Sequence, residues 1–470
     1  MIVRSKYVII ILMREKGFAH LLMIIPVAIA LLVGGLYYLQ TLIAPGNCII
    51  DEIQGKRGSC DNFCKNPANM PACVEFCVNS PFCPSKNKSQ IKPEIVDQIK
   101  NPACKNAAAC NSKECVLDMT HDCYVAMDRP TNMDELMKAG PTTFTRNYIL
   151  PIRGVWEPGQ IYNRIGLLYF LDDYKKLQVN TWNVLIKYSH LKEDKTLVAT
   201  VDYEDGVRAE NEAIADIIRA KRAGFQVIFY PVDLFDLMPQ YNPRKDEKIN
   251  VEDYADDFEK LALKWAEIAE KYQVEYYAPF GEVGHMLVLN GMDRQQAAQI
   301  ISNLYKKIIP EVRKIYHGKI YCKEGDMKKG LKYMDFSPCD LFGFSDGSSS
   351  SIGNQDTREI MSMTEELAQK YKRNYIMGEA FSMTNVGGEG GLTCPQVHEN
   401  IMNAYKDIAK HGVGYTFMGL VMDNPGGGKD TCPIYGAKSN KNVMGQKVFD
   451  MYQDFYTNWL PKQKLELYSQ

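Results

Sequence analysis

The sequence has no excess of charge of either sign. Its 55 lysines and arginines stand against 57 aspartates and glutamates, which gives a formal net charge of −2 over 470 residues. A domain that binds nucleic acid usually carries a clear basic patch or a basic excess. We therefore expect no nucleic-acid partner.

Motifs for metals and nucleotides are also scarce. The seven histidines are scattered and none lies in an HExxH pattern, so no catalytic metal is indicated. The glycines at 426–428 precede Lys429, but Asp430 stands where a phosphate loop has Ser or Thr. We expect no metal, no nucleotide and no other cofactor.

One long hydrophobic run is present, from Leu21 to Ala44, and it carries no charged residue. As a helix it would span roughly 36 Å, enough for a hydrocarbon layer of ~30 Å. Basic residues precede the run and acidic residues follow it, which predicts a cytoplasmic N-terminus. We expect a cytoplasmic segment (1–17), a single membrane anchor in the lipid bilayer (18–45) and an extracytoplasmic remainder. A cleaved signal peptide is the alternative, but its apolar region would be shorter.

The cysteines are unevenly distributed, since ten of the 14 lie between Cys48 and Cys123. In an exported chain such a cluster favours disulfides. We interpret 46–125 as a small cysteine-rich module or stalk and 126–146 as a linker. Zinc ligation is the alternative, but no paired CxxC is present. Cys60 and Cys64 are four residues apart, as are Cys73 and Cys77, which suggests a helical hairpin bridged by Cys60 with Cys77 and by Cys64 with Cys73. Cys394 and Cys432 lie in the loops after predicted strands seven and eight, and they are the candidates for a further bridge.

From residue 147 to 462, short β-branched and aromatic runs alternate with amphipathic stretches, which is typical of parallel βα units. The fold class predicted is α/β, a (β/α)8 TIM barrel. An open doubly wound sheet is the rival, weakened because no GxGxxG follows the first strand. The eight strands are predicted at 152–156, 181–188, 226–231, 275–280, 319–322, 341–344, 374–377 and 414–421. The helices are predicted at 167–177, 209–223, 251–272, 296–316, 327–331, 357–371, 396–410 and 443–459.

Two glutamates occupy similar positions after predicted strands. Glu282 follows Gly281 after strand four, and Glu379 follows Gly378 after strand seven. In such barrels the chemistry lies at the C-terminal ends of the strands. Glycoside hydrolysis requires two carboxylates that flank the bond, so this pair is the candidate catalytic pair.

Strand order and these two motifs resemble the clan A glycoside hydrolases, which include family 5 cellulases and mannanases and the families 26 and 113 mannanases. The resemblance covers about 147–460. It implies a retaining mechanism with Glu282 as acid/base and Glu379 as nucleophile. Most members have Asn directly before the acid/base, where this chain has Gly281. Many also close the site with a tryptophan at strand eight, where this chain has Tyr415-Thr-Phe-Met.

Sugar sites use aromatic platforms and polar side chains, and several such residues follow the predicted strands. The candidate substrate-binding residues are Trp156, Trp182, Tyr188, Tyr230, Asp233, His285, Asp346 and Asp423. The expected partner is an oligo- or polysaccharide.

The sequence thus predicts a membrane-anchored, extracytoplasmic retaining glycosidase that cleaves a β-linked glycan. A non-catalytic glycan-binding protein on the same barrel is the alternative. A different barrel enzyme, such as a polysaccharide lyase or an isomerase, is a third hypothesis.

Overall fold

The computed structural model describes most of the C-terminal three quarters of the chain. All described residues belong to the second of two units, Met1–Ile91 and Lys92–Gln470. The predicted membrane anchor and almost all of the cysteine-rich module lie outside the described residues, and among those described no helix is long and apolar enough to cross a membrane. The described residues are 112, 115, 131–157, 160–190, 197–201, 204–233, 255–289, 291–325, 328–346, 355–380, 403, 410–418, 450 and 452–468.

Eight parallel strands form a closed barrel. In chain order they are β1 (Ile152–Trp156), β2 (Thr181–His190), β5 (Gln226–Asp233), β6 (Tyr276–Tyr277), β7 (Lys319–Glu324), β8 (Leu341–Asp346), β9 (Asn374–Ala380) and β10 (Gly412–Met418). Each pairs with its neighbour in this order, and β1 pairs with both β10 and β2, which closes the ring. The predicted (β/α)8 barrel is confirmed, and the open sheet is wrong because the ring has no free edge.

Helices follow the strands on the outside. They are α1 (Met133–Lys138), α2 (Gln160–Tyr169), α3 (Leu171–Lys176), α4 (Gly206–Arg222), α5 (Ala255–Lys271), α6 (Val283–Leu289), α7 (Arg294–Val312) and α8 (Gln355–Tyr371), with short turns at Lys328–Tyr333, Phe455–Trp459 and Leu460–Lys462. The single helix predicted at 167–177 is two helices, separated at the fully buried Phe170. A hairpin of β3 (Leu197–Val201) and β4 (Glu204–Asp205) extends the end of β2, and it is not among the predicted strands.

Alternation along the strands decides which side chains face the barrel interior. Trp182 on β2 packs against Tyr174 of α3, with ring centroids 4.8 Å apart, so it faces the helices. Phe229 on β5 packs on Trp265 of α5, so the adjacent Tyr230 faces the barrel interior. Lys323 on β7 reaches Tyr230 past β6, with its Nζ 4.6 Å from the ring centroid, so Lys323 also faces inward. Because strand side chains alternate with period two, Tyr321 also faces inward, and Cys322 faces outward.

The N-terminal end of the barrel is closed by the segment before β1. Tyr148 lies edge-on to Tyr276 with ring centroids 5.6 Å apart. The side chain of Gln226 bonds both the N–H and the C=O of Ile149, at 2.9 and 2.8 Å. The opposite, C-terminal end is therefore the one available for a functional site.

Candidate active site

Glu282 stands at the C-terminal end of the fourth barrel strand in a left-handed backbone conformation, with φ of 61°. A non-glycine residue in this region costs of order 1–3 kcal/mol and occurs preferentially at functional sites. The amide N–H of Glu282 donates to the C=O of Lys323 at 3.2 Å, and that of Gly281 donates to the C=O of Pro231 at 2.8 Å. The barrel wall on both sides therefore holds this strained turn in place.

The carboxylate of Glu282 is paired with Lys323 of β7. The lysine side chain is completely buried, whereas the glutamate side chain is 16% exposed. The ammonium also lies over the ring of Tyr230 from β5. This places an ion pair at the C-terminal end of the barrel, with its lysine buried in the wall and its carboxylate partly exposed.

A second carboxyl group, Glu324, lies directly behind this pair on the outer face of β7. It accepts hydrogen bonds from Tyr305 Oη at 3.0 Å and from the N–H of Gly284 at 3.2 Å. Burial raises the pKa of Glu324 to about 8, and the charge of Glu282 acts in the same direction, against the Tyr305 hydrogen bond. Glu324 therefore holds its proton at neutral pH, and the carboxylate that pairs with Lys323 is that of Glu282.

The strand that carries Glu379 approaches the same lysine. Glu379 belongs to β9, and its side chain lies outside the described part of the structure. A Cβ placed on the preceding Gly378 would lie 2.6 Å from Tyr321 Oη and 3.8 Å from Lys323 Cε. The ends of the fourth and seventh barrel strands therefore both border the Lys323 side chain.

Two further predicted residues lie at the same end of the barrel. Tyr230 is fully buried in the inner wall, where it touches both Gly281 and Lys323. Trp156 ends β1 and is half-buried. Tyr415 and Phe417 of β10 pack on Phe455 outside the barrel, so Thr416 and its register partner Gly154 face inward. By alternation Trp156 faces inward as well.

Two predicted substrate-binding residues lie behind the wall. Trp182 is completely buried, and its Nε1 donates to Asn163 Oδ1 at 2.6 Å. Tyr188 is buried and donates to Glu210 Oε1 at 2.9 Å while it accepts from Trp265 Nε1 at 2.8 Å. Both pack between β2 and the outer helices, because they share the outward face of that strand. Neither lines the barrel mouth.

The remaining candidates are not described at the level of their side chains. Asp233, His285 and Asp346 lie on described backbone in β5, α6 and β8, whereas Asp423 lies outside the described ranges altogether. These four stay predictions.

Lys323 and Glu324 were not among the residues predicted from sequence. The available signal was their position at the end of the run Lys-Ile-Tyr-Cys-Lys-Glu (319–324), because charged residues in a strand buried on both faces need a partner. The run Gly343-Phe-Ser-Asp-Gly347 also matches GxSxG. That motif marks a serine nucleophile only on a sharp strand-to-helix turn, whereas Ser345 lies within β8 and the next described helix begins at Gln355.

The disulfides found are not those predicted. Cys322 and Cys339 are bonded, which ties β7 to the segment before β8. Cys115 of the cysteine-rich region is also disulfide-bonded. The predicted pairs, which involve Cys60, Cys64, Cys73, Cys77, Cys394 and Cys432, lie outside the described residues. Within the described part, no group of three His, Cys, Asp or Glu side chains could hold a metal ion.

No family model and no curated protein matches this chain. Among solved structures, it is similar to a GH113 β-1,4-mannanase at 15% identity and a TM-score of 0.46, over 66% of this chain and 100% of that one. It is also similar to the GH113 β-mannanase of Alicyclobacillus acidocaldarius, at 13% identity and a TM-score of 0.43, over 65% and 97%. The GH53 catalytic domain of Ignisphaera aggregans matches at 14% identity and a TM-score of 0.43, over 66% and 98%.

These structures come from the kind of barrel that the two glutamate motifs resemble, so the predicted resemblance is confirmed as a distant structural similarity. The barrel itself rests on its own strand pairings.

Proposed function

We propose that this chain is a retaining glycoside hydrolase that cleaves a β-linked glycan. We also propose that residues 18–45 anchor it in the membrane with the barrel on the extracytoplasmic side. The observation that carries the proposed activity is Glu282, a strained, partly exposed carboxylate at the C-terminal end of the barrel. The end of its strand and the end of the strand of Glu379 both border the Lys323 side chain. Backbone strain of this kind persists only where the surroundings fix it, and Pro231 and Lys323 do so here.

The proposed mechanism assigns one step to each carboxylate. Glu379 attacks the anomeric carbon as Glu282 delivers a proton to the leaving oxygen, which gives a covalent glycosyl–enzyme. Glu282 then takes a proton from water, which attacks the same carbon and releases the sugar with its configuration retained. Trp156 at the mouth is suited to pack against a sugar ring.

A second candidate function is glycan binding without hydrolysis, and one contact favours it. An acid catalyst must carry a proton, whereas a buried ammonium beside Glu282 favours the ionised carboxylate. A barrel that only binds a glycan has no need of a proton at this position.

The roles can be tested with Glu379→Ala and Glu282→Ala, each assayed on a panel of β-linked glycans and on aryl β-glycosides with a good leaving group. We expect the first change to lower kcat by about 10⁴-fold or more, as removal of a nucleophile does. Azide should then restore turnover of the aryl glycosides. With Glu379→Ala the glycosyl azide should have the inverted configuration, because azide replaces the nucleophile. With Glu282→Ala it should have the retained configuration, because azide attacks the glycosyl–enzyme.

The matched control is Glu366→Ala, which removes an exposed carboxylate on α8 and should leave kcat unchanged. Wild-type turnover in Glu379→Ala would exclude Glu379 as the nucleophile. Glycan binding by the wild type with no product from any substrate would favour the second candidate.

A further inference from the structure

Lys323 is a completely buried basic residue at the C-terminal end of the barrel. Its side chain is 0% exposed. It contacts the carboxylate of Glu282 on one side and the ring face of Tyr230 on another, and its Cε approaches Gly378 on a third. One side chain therefore links the ends of the third, fourth and seventh barrel strands.

A buried ammonium is costly, and stability alone does not explain why one is kept here. A well-packed apolar side chain often serves as well as a buried ion pair or better. The barrel contains a second buried lysine, Lys221, which pairs with Glu275 at the closed end and also donates to the C=O groups of Thr145 and Gln273, at 3.1 and 3.0 Å. There the lysine ties backbone segments together, which is a structural task.

The setting of Lys323 is different. Its carboxylate partner is partly exposed, so solvent reaches the pair. The partner is also the residue to which the proposed mechanism gives the proton.

We propose that Lys323 is a positioning residue of the active site, which holds Glu282 against the barrel wall as a carboxylate and so confines the acid step to acidic pH. The inference rests on the proposed glycosidase function and goes beyond it, because it names the group that sets the working pH. Neither the two glutamate motifs nor the barrel fold requires a lysine at this place.

Lys323 is the basic group in direct contact with the Glu282 carboxylate. Tyr230 from β5 and Tyr321 from β7 are buried phenols, and Glu324 lies behind on the outer face of β7. Because burial raises the pKa of Glu324 to about 8, that group is neutral at acidic pH and adds no negative charge there. Glu379 follows Gly378 on the strand end that borders Lys323, and its side chain lies outside the described part of the structure.

The decisive experiment compares Lys323→Met with Lys323→Arg in the full-length protein. The first change removes the charge and keeps the length of the side chain, and the second keeps the charge. In Lys323→Met the alkaline limb of the pH profile of kcat/KM should shift to higher pH by about 1–3 units. This is the size of the effect that one opposite charge at contact distance has on the pKa of a carboxyl group. In Lys323→Arg the limb should stay near its wild-type position.

A second readout does not depend on activity. The carboxyl carbon of Glu282, labelled with ¹³C-glutamate and assigned by its loss in Glu282→Gln, can be titrated by NMR. Its midpoint should rise in Lys323→Met and not in Lys221→Met, the control at the closed end. If Lys323→Met does not fold, Lys323→Gln removes the charge while it keeps a hydrogen-bond donor.

The outcomes separate the two proposals. A raised midpoint without hydrolysis of any glycan would remove the proposed function and leave the electrostatic role of Lys323 standing. An unchanged midpoint in the uncharged variants would overturn the inference, whatever their activity.

Discussion

A Cβ added to Gly281 would lie 2.8 Å from Cδ2 of Tyr230. The tyrosine ring therefore occupies the space that a side chain at position 281 would need. In the barrels that the motif resembles, an asparagine commonly stands at this position and contacts the sugar 2-hydroxyl. Here an aromatic ring from the third strand fills that space, and the Lys323 ammonium lies over its face.

This relationship predicts that Gly281→Ala is destabilising. The added methyl group forces Tyr230 or the strand to shift, and overpacking of this kind costs about 1–3 kcal/mol. Urea denaturation of the variant should show a lower midpoint with an unchanged slope.

The double variant with Tyr230→Ala identifies the cause. Once the ring is gone the methyl group has room, so the two changes should be non-additive by at least ~0.5 kcal/mol, as for residues in contact. Strictly additive losses would show that Gly281 is needed for a reason unrelated to Tyr230.

Glu324 predicts a pH dependence of stability. Its folded pKa of about 8 lies above the ordinary value of 4.5, so the folded state keeps a proton that the unfolded state has lost. The stability from this group is fully present below about pH 4.5 and is lost as the pH rises through about 8. The loss should be on the order of a few kcal/mol.

Glu324→Gln should remove this dependence, because the amide imitates the protonated acid. Its oxygen can accept from Gly284 and its NH₂ can donate to Tyr305 Oη, which lies 3.4 Å from the C=O of Lys323. The measurement is the free energy of unfolding of both proteins from pH 4 to 9. Parallel curves would contradict the assignment of a buried, neutral carboxyl at this position.

Most strands could be predicted from sequence because a closed parallel barrel buries both faces of each strand. Such strands are short runs of apolar residues, and the predicted start of every barrel strand lies within two residues of the observed one. Strand ends agreed less well. The sequence predicts the end of the sixth strand at Phe344, whereas the strand continues to Asp346, because polar residues at the end of a barrel strand do not resemble a strand.

The direction of individual side chains could not be predicted in the same way. Trp182 and Tyr188 share one face of β2 by alternation, but the sequence does not say whether that face meets the helices or the barrel interior. The same limit concealed Lys323. A lysine near the end of a strand resembles a solvated residue until the register with β6 and β8 places it inside.

The disulfide between Cys322 and Cys339 predicts a moderate contribution to stability. It closes a loop with a sequence separation of 17 residues, and loops of about this size contribute roughly 3 kcal/mol in the chain-entropy view. Cys322→Ala with Cys339→Ala should lower the free energy of unfolding by about 2–4 kcal/mol. Because Cys322 faces away from the barrel interior, kcat of the folded variant should not change. A loss of kcat without a loss of stability would mean that the bridge positions β7 for the site.

For Lys221→Met, unlike Lys323→Met, we expect a loss of stability without a change in the pH profile of activity. Lys221 and Glu275 are both almost completely buried, so removal of the lysine leaves a buried carboxylate without its countercharge, which costs about 3–5 kcal/mol. The cost should fall when Glu275→Gln is added, since the remaining charge is then removed. Folded Lys221→Met should keep the wild-type pH profile of kcat/KM, because its pair lies at the closed end, beneath Tyr148 and the segment before β1. Equal shifts of the pH profile in Lys221→Met and Lys323→Met would mean that overall charge, rather than contact with Glu282, sets the working pH.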